Sequence, residues 1–167
     1  LQSLVWLNKQ GGLIADTGTT TQSFSLLYID LDGFKAINDT LGHTGGDSLL
    51  ENAARRLEQC VRKSDMVARV GGDEFIVLLQ DIAPTDAPRV AEKVIRSLSA
   101  PFNISRKSVA VTASVGLATY PQDGADATAL IANADKAMYE AKRSGKNSYR
   151  VYHAAVQRIH NKRSKRA

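Results

Sequence analysis

Four carboxylates sit where short apolar runs end or turn. Asp30 and Asp32 close the run that begins at Phe24, and Asp73 and Glu74 follow the pair Gly71-Gly72. Strand tips hold side chains firmly, and firmly held oxygens are what a hard divalent cation requires. Residues two apart on a strand point the same way, so Asp30 and Asp32 share a face if the strand runs through both. Asp73 and Glu74 are adjacent and diverge unless the glycine turn twists them toward one point. An ordinary acidic surface turn fits the same spacing, and on spacing alone both readings stay open. An EF-hand loop does not fit: it needs glycine at its sixth position, and Gly33 stands fourth counted from Asp30.

Other reactive residues say less. Lys142 and Lys146 bracket Gly145 at the end of a long helical stretch, where they can meet phosphate oxygens or merely complement the helix dipole. No Gly-x4-Gly-Lys-Ser/Thr loop exists, which excludes a Walker-type site. His43 is a lone imidazole in a glycine-rich turn, Cys60 falls on a helix, and no Ser-His-Asp or Cys-His set accompanies them. Residue types alone therefore reach an acidic cation site near lysines suited to phosphates.

The elements that must position these groups follow from periodicity. Phe24 to Asp30 reads as a buried strand. Phe34, Ile37 and Leu41 recur at helical spacing up to a stop at Gly42, and a second helix runs from about Asp47 through Leu49, Leu50, Ala53, Ala54 and Leu57. Met66 to Val70 and Glu74 to Leu79 form a tight hairpin around Gly71-Gly72-Asp73. Pro84 and Pro88 precede a helix to about Leu98. Phe102 to Ile104 and Val109 to Ala118 predict a second hairpin turning at Ser105-Arg106-Lys107. A long helix spans Asp126 to Ser144, and a last strand Tyr149 to Tyr152. The order β-α-α-β-β-α-β-β-α-β predicts an α/β (α+β) sandwich around a mainly antiparallel sheet.

Composition narrows the class. A chain of 167 residues, 43% hydrophobic and 23% charged, suits one domain with a real core. One cysteine cannot make an intrachain disulfide. No apolar stretch reaches the roughly 18 residues of a membrane span. Leu1 in place of Met fits a piece of something longer. The net charge of +5 invites a nucleic-acid reading, but the last ten residues carry Arg158, Lys162, Arg163, Lys165 and Arg166 with no acid. The rest balances 17 basic against 17 acidic residues, so the excess is a tail and no nucleic-acid partner is expected.

Four ordered motifs carry a resemblance. Val67-Ala68-Arg69-Val70-Gly71-Gly72-Asp73-Glu74-Phe75 is similar to the signature of the GGDEF family, the diguanylate cyclases. The block from Asp30 through Phe34, Lys35, Asn38 and Asp39 to Gly42-His43 and Gly46-Asp47 resembles the family's second motif. Val111 to Gly116 and Ala134 to Asn147 resemble its later ones. The likeness covers 24–152, between a degenerate N-terminal segment (1–23) and a basic C-terminal tail or linker (153–167).

The resemblance implies a fold like the nucleotidyl cyclases and polymerase palms, and a dimer that condenses two GTP into cyclic di-GMP and two pyrophosphates. It implies Mg2+ or Mn2+ held by Asp30, the Leu31 carbonyl, Asp73 and Glu74, with Asp73 and Glu74 as the catalytic pair. Gly71 and Gly72 let backbone approach the phosphates; Lys35, Lys142 and Lys146 meet the β- and γ-phosphates; Asn38 and Asp47 read the guanine. Arg62 and Asp65, five residues before Gly71, match the family's Arg-x-x-Asp inhibitory product site, with Lys93 as an auxiliary. The family's Asp-x-Leu-Thr-Gly-Leu-x-Asn-Arg opening is altered here, keeping only Asn8 and a basic residue at Lys9. That departure gives the alternative of a catalytically impaired module that binds GTP or cyclic di-GMP. The family also implies a cytoplasmic domain, fused to sensor or phosphodiesterase (EAL) domains in a full-length protein that can be membrane-anchored.

Overall fold

A computed structural model describes residues 23–153. The altered opening segment and the basic tail lie outside the described residues. Strand β1 (Phe24–Asp32) is the centre of a five-stranded sheet of order β2-β3-β1-β6-β7, with β2 at Met66–Arg69, β3 at Glu74–Gln80, β6 at Thr112–Tyr120 and β7 at Ser148–Val151. The pairings β1·β3, β1·β6 and β2·β3 are antiparallel; only β6·β7 is parallel. The sandwich expected from the element order is therefore present.

The near-continuous apolar run in β1 has a simple cause: both of its faces are covered. Leu27, Ile29 and Leu31 pack toward helices α1 (Phe34–Cys60) and α2 (Ala87–Ser99). Phe24 and Leu26 pack toward helix α3 (Ala127–Arg143). Each such leucine or isoleucine removed from water contributes about 1.5–3 kcal/mol. Gly116 of β6 lies directly under α3, where a Cβ would overlap the Ala134 carbonyl and the Met138 amide. That closeness brings the end of α3 down to the tip of β1. The Asp126 carboxylate caps α3 by accepting from the Ala129 amide at 2.8 Å.

The stop expected at Gly42 is present: α1 is two helices that meet at a break there, where φ 73° and ψ 173° lie outside the helical range. Glycine tolerates that positive φ, and helix resumes at once over 43–46, so the second helix starts a few residues before the expected Asp47. One expectation needs correction, the second hairpin. Phe102–Ile104 (β4) pairs with Lys107–Val109 (β5) as a separate two-stranded sheet, and Thr112–Tyr120 joins the main sheet alone. Arg56 of α1 anchors the small hairpin. Its guanidinium donates to the carbonyls of Ser97 (2.7 Å), Ala100 (2.5 Å) and Pro101 (2.6 Å) and lies 3.5 Å from the Phe102 ring centre.

Candidate active site

The β1–β3 register sets Asp30 opposite Glu74, and β6 sets Ser114 on its other side. Just beyond, the Leu31 amide donates to the Asp73 carbonyl at 3.2 Å, tying the tip of β1 to the β2–β3 hairpin. The hairpin closes with the Val70 amide on the Glu74 carbonyl at 3.0 Å. Arg69 braces the turn by donating from Nε to the Gly71 (3.1 Å) and Gly72 (3.0 Å) carbonyls.

Asp30 is 5% exposed, and the Lys142 ammonium, arriving from the end of α3, sits 2.6 Å from its Oδ2. Burial pushes the Asp30 carboxyl up from its ordinary value; the Lys142 hydrogen bond pulls it back, and the Asp73 and Glu74 charges push it up again. The neighbouring Tyr28 hydroxyl is pushed up to about 12, by burial first and then by Glu74, Asp135 and Asp30. Negative charge is thus concentrated at one end of the sheet, with Lys142 as the ammonium in contact with Asp30.

Among the described residues no three acidic, histidine or cysteine side chains already surround a single point as a finished metal cage. The donor chemistry still suits a hard divalent cation. Three carboxylates and a strand-end carbonyl are all oxygen donors, and the Asp73 and Glu74 charges that push the Asp30 carboxyl up are ones a bound cation would offset.

Asn38 lies on the inner side of α1, with its Oδ1 buried and without a hydrogen-bond partner among the described residues. Gly46, one turn past the kink, leaves room for that oxygen; a Cβ there would overlap it. A buried acceptor without a donor costs stability unless a ligand supplies one. Lys35 and Asp47 are exposed on the same helix. At the far side, α3 ends in a turn where the Lys146 amide reaches the Ala141 carbonyl at 3.1 Å.

Over residues 8–148 the sequence matches the family model described as "Diguanylate cyclase, GGDEF domain". The chain belongs to the GGDEF family. It is 47% identical over 133 residues to the bifunctional diguanylate cyclase/cyclic di-GMP phosphodiesterase MucR of Pseudomonas aeruginosa, covering 80% of this chain and 19% of that protein. It is 44% identical over 140 residues to diguanylate cyclase TpbB of the same species, covering 83% and 32%. The crystal structure of the GGDEF domain of TpbB (YfiN) aligns with a TM-score of 0.80 at 40% identity, covering 88% of this chain and 91% of that one. The chain thus spans between about a fifth and a third of these curated relatives.

Arg62 and Asp65 lie by the opposite end of β3, beside Gln80. The Asp65 carboxylate accepts from the Arg62 amide (2.8 Å) and the Gln80 amide (3.1 Å), so both of its oxygens are engaged. A cavity of about 300 Å³ opens here, lined by Arg62, Asp65, Arg89 and Lys93. Lys93 is occupied in capping α1: its Nζ donates to the Cys60 (3.0 Å) and Gln59 (3.4 Å) carbonyls.

Asp32, paired with Asp30 for a cation on spacing alone, does share its face, but both oxygens are used internally. Sequence reasoning missed that role, together with Arg69, Tyr28 and Asn147. Arg69 was visible inside the motif, but nothing in its spacing marked it as the brace of the turn.

Proposed function

We propose that this GGDEF domain, residues 24–152, is a diguanylate cyclase that joins two GTP molecules into cyclic di-GMP. The observation that carries the reading is the buried Asp30, opposed by Glu74 and Asp73 and in contact with Lys142. Asp30, the Leu31 carbonyl, Asp73 and Glu74 would hold Mg2+ or Mn2+, which neutralises triphosphate charge and favours an ionised 3′-hydroxyl. Asn38 and Asp47 fix the guanine, the first by offering its unpartnered oxygen to a ring or amino N–H. Lys35, Lys142 and Lys146 hold the β- and γ-phosphates, Lys142 by leaving Asp30 once that charge is otherwise met.

One domain holds one GTP, so two domains must face each other. Each 3′-oxygen then bonds to the other nucleotide's α-phosphorus, the bond to the bridging oxygen breaks, and pyrophosphate leaves. Product returning to the Arg62–Asp65 cavity inhibits. GTP places the domain on the cytoplasmic side, with any sensor, EAL domain or membrane anchor in the rest of the protein. Among the described residues no helix is long and apolar enough to cross a membrane.

A second reading, a module that binds GTP or cyclic di-GMP without turnover, is favoured by one observation. The chain is also 39% identical over 127 residues to a protein named only as a phosphodiesterase, PdeR of Escherichia coli. Chromatography of products from GTP and Mg2+ at high protein concentration separates the two readings. We expect cyclic di-GMP from the native sequence and a loss of at least about a thousandfold in Asp73→Ala. GTP binding without product would establish the second reading.

A further inference from the structure

Asp32 is 8% exposed and has no water-facing task. Its Oδ1 accepts from Ser114 Oγ at 2.8 Å, and its Oδ2 accepts from Thr112 Oγ1 at 2.8 Å and from the Asn147 amide at 3.2 Å. The first two partners lie on β6, beside it in the sheet. The third lies in the turn between α3 and β7. That turn is unusual: Gly145, Lys146 and Asn147 have φ of 114°, 64° and 43° in succession. Two of the three are not glycine, and side-chain-bearing residues hold such backbone only where surrounding contacts enforce it. The enforcing contacts are the Lys146 amide on Ala141, the Asn147 amide on Asp32, and Ser99 Oγ donating to Asn147 Oδ1 at 2.8 Å.

We infer that Asp32 and Asn147 form a clamp that fixes the left-handed turn and thereby aims Lys146, with Lys142 one turn earlier, at the β- and γ-phosphates of the nucleotide. Asp32 is a positioning residue acting through Asn147. A carboxyl side chain suits the task because its two oxygens accept from three donors at once. Asparagine suits its place because it enters the left-handed region more readily than most residues. The clamp rests on the proposed phosphate contacts of Lys142 and Lys146, and it makes Asp32 specific for the triphosphate end of the ligand.

The test compares two ligands by calorimetry in Mg2+ buffer: GMP, and a GTP analogue with a methylene group in place of the α,β-bridging oxygen. Asp32→Ala and Asn147→Ala are expected to weaken the analogue about tenfold while GMP stays within about twofold. Asn147→Gly keeps the amide donor and accepts positive φ, so it should restore analogue binding to within about threefold. Equal losses for the two ligands, no loss, or an Asn147→Gly variant as damaged as Asn147→Ala overturns the clamp. If Asp32→Ala shows no cooperative thermal transition, the Asn147 pair decides. Lys146→Ala separates the layers of the inference. An unchanged analogue affinity there overturns the phosphate reading and the clamp with it; a loss there without one in Asp32→Ala overturns the clamp alone.

Discussion

The two polar regions of this domain handle their charges in opposite ways. At the tips of β1 and β3, carboxylates crowd one another, Asp30 is held above its ordinary proton affinity, and Asn38 keeps an oxygen with no partner among the described residues. Around Arg62 and Asp65, the carboxylate is saturated by two amides and Lys93 caps a helix. The first region gains by receiving a cation and a hydrogen-bond donor. In the second, Asp65 and Lys93 already have partners, so a ligand there adds to contacts that exist without it. Loss of a side chain should therefore damage function in the first region, and in the second only regulation or stability.

Asn38→Ala gives the largest expected contrast. Removing the unpartnered oxygen should raise KM for GTP about tenfold or more and narrow the preference for GTP over ATP, read from competition kinetics. An unchanged preference would mean that the oxygen is not the guanine contact. Arg62→Ala should leave kcat intact and raise the inhibition constant for cyclic di-GMP about tenfold, read from product-inhibition curves. If turnover falls as well, the two regions are not separate.

Lys93→Ala should cost about 0.5–1 kcal/mol in chemical denaturation through the lost α1 cap. A larger effect on inhibition than on stability would place Lys93 in the product site after all. The smallest effect concerns Asp123, a half-buried carboxylate in neither region. Burial pushes its carboxyl above the ordinary 3.8, against the Thr119 amide at 2.8 Å and the nearby His153 charge. The folded state therefore favours the proton. That contribution is fully present below 3.8 and is lost as pH rises through the raised value. Asp123→Asn, still able to accept from Thr119, should show a shallower decline of the denaturation midpoint across that window.

Much of this was legible because it is local. The apolar run of β1, the Gly71-Gly72 turn and the Leu130, Ala134, Ala137, Met138 and Ala141 stripe of α3 each follow from neighbours in sequence. So do the break at Gly42 and the Leu49, Leu50, Ala53 and Leu57 face of the helix beyond it. What failed depended on distant partners. The second hairpin is shorter than its sequence predicts because Val109, Val111 and Ala113 keep their apolar alternation across a break. The small sheet there is held by Arg56, more than forty residues away. Asp32 could not be told from Asp30 by spacing, since the difference lies in Ser114 and Asn147, 82 and 115 residues further on.

The seat of α3 on Gly116 carries a consequence for timing. With backbone against backbone and no side chain between, helix and strand move as one body, so Lys142 cannot leave Asp30 by a sliding of the helix. It must leave by rotation of its own four-carbon stem, which is about one-third exposed. Such rotations take picoseconds to nanoseconds, against microseconds to milliseconds for collective domain motions. In the proposed reaction the handover of Lys142 from carboxylate to phosphate is therefore expected to be fast beside any collective motion of the domain.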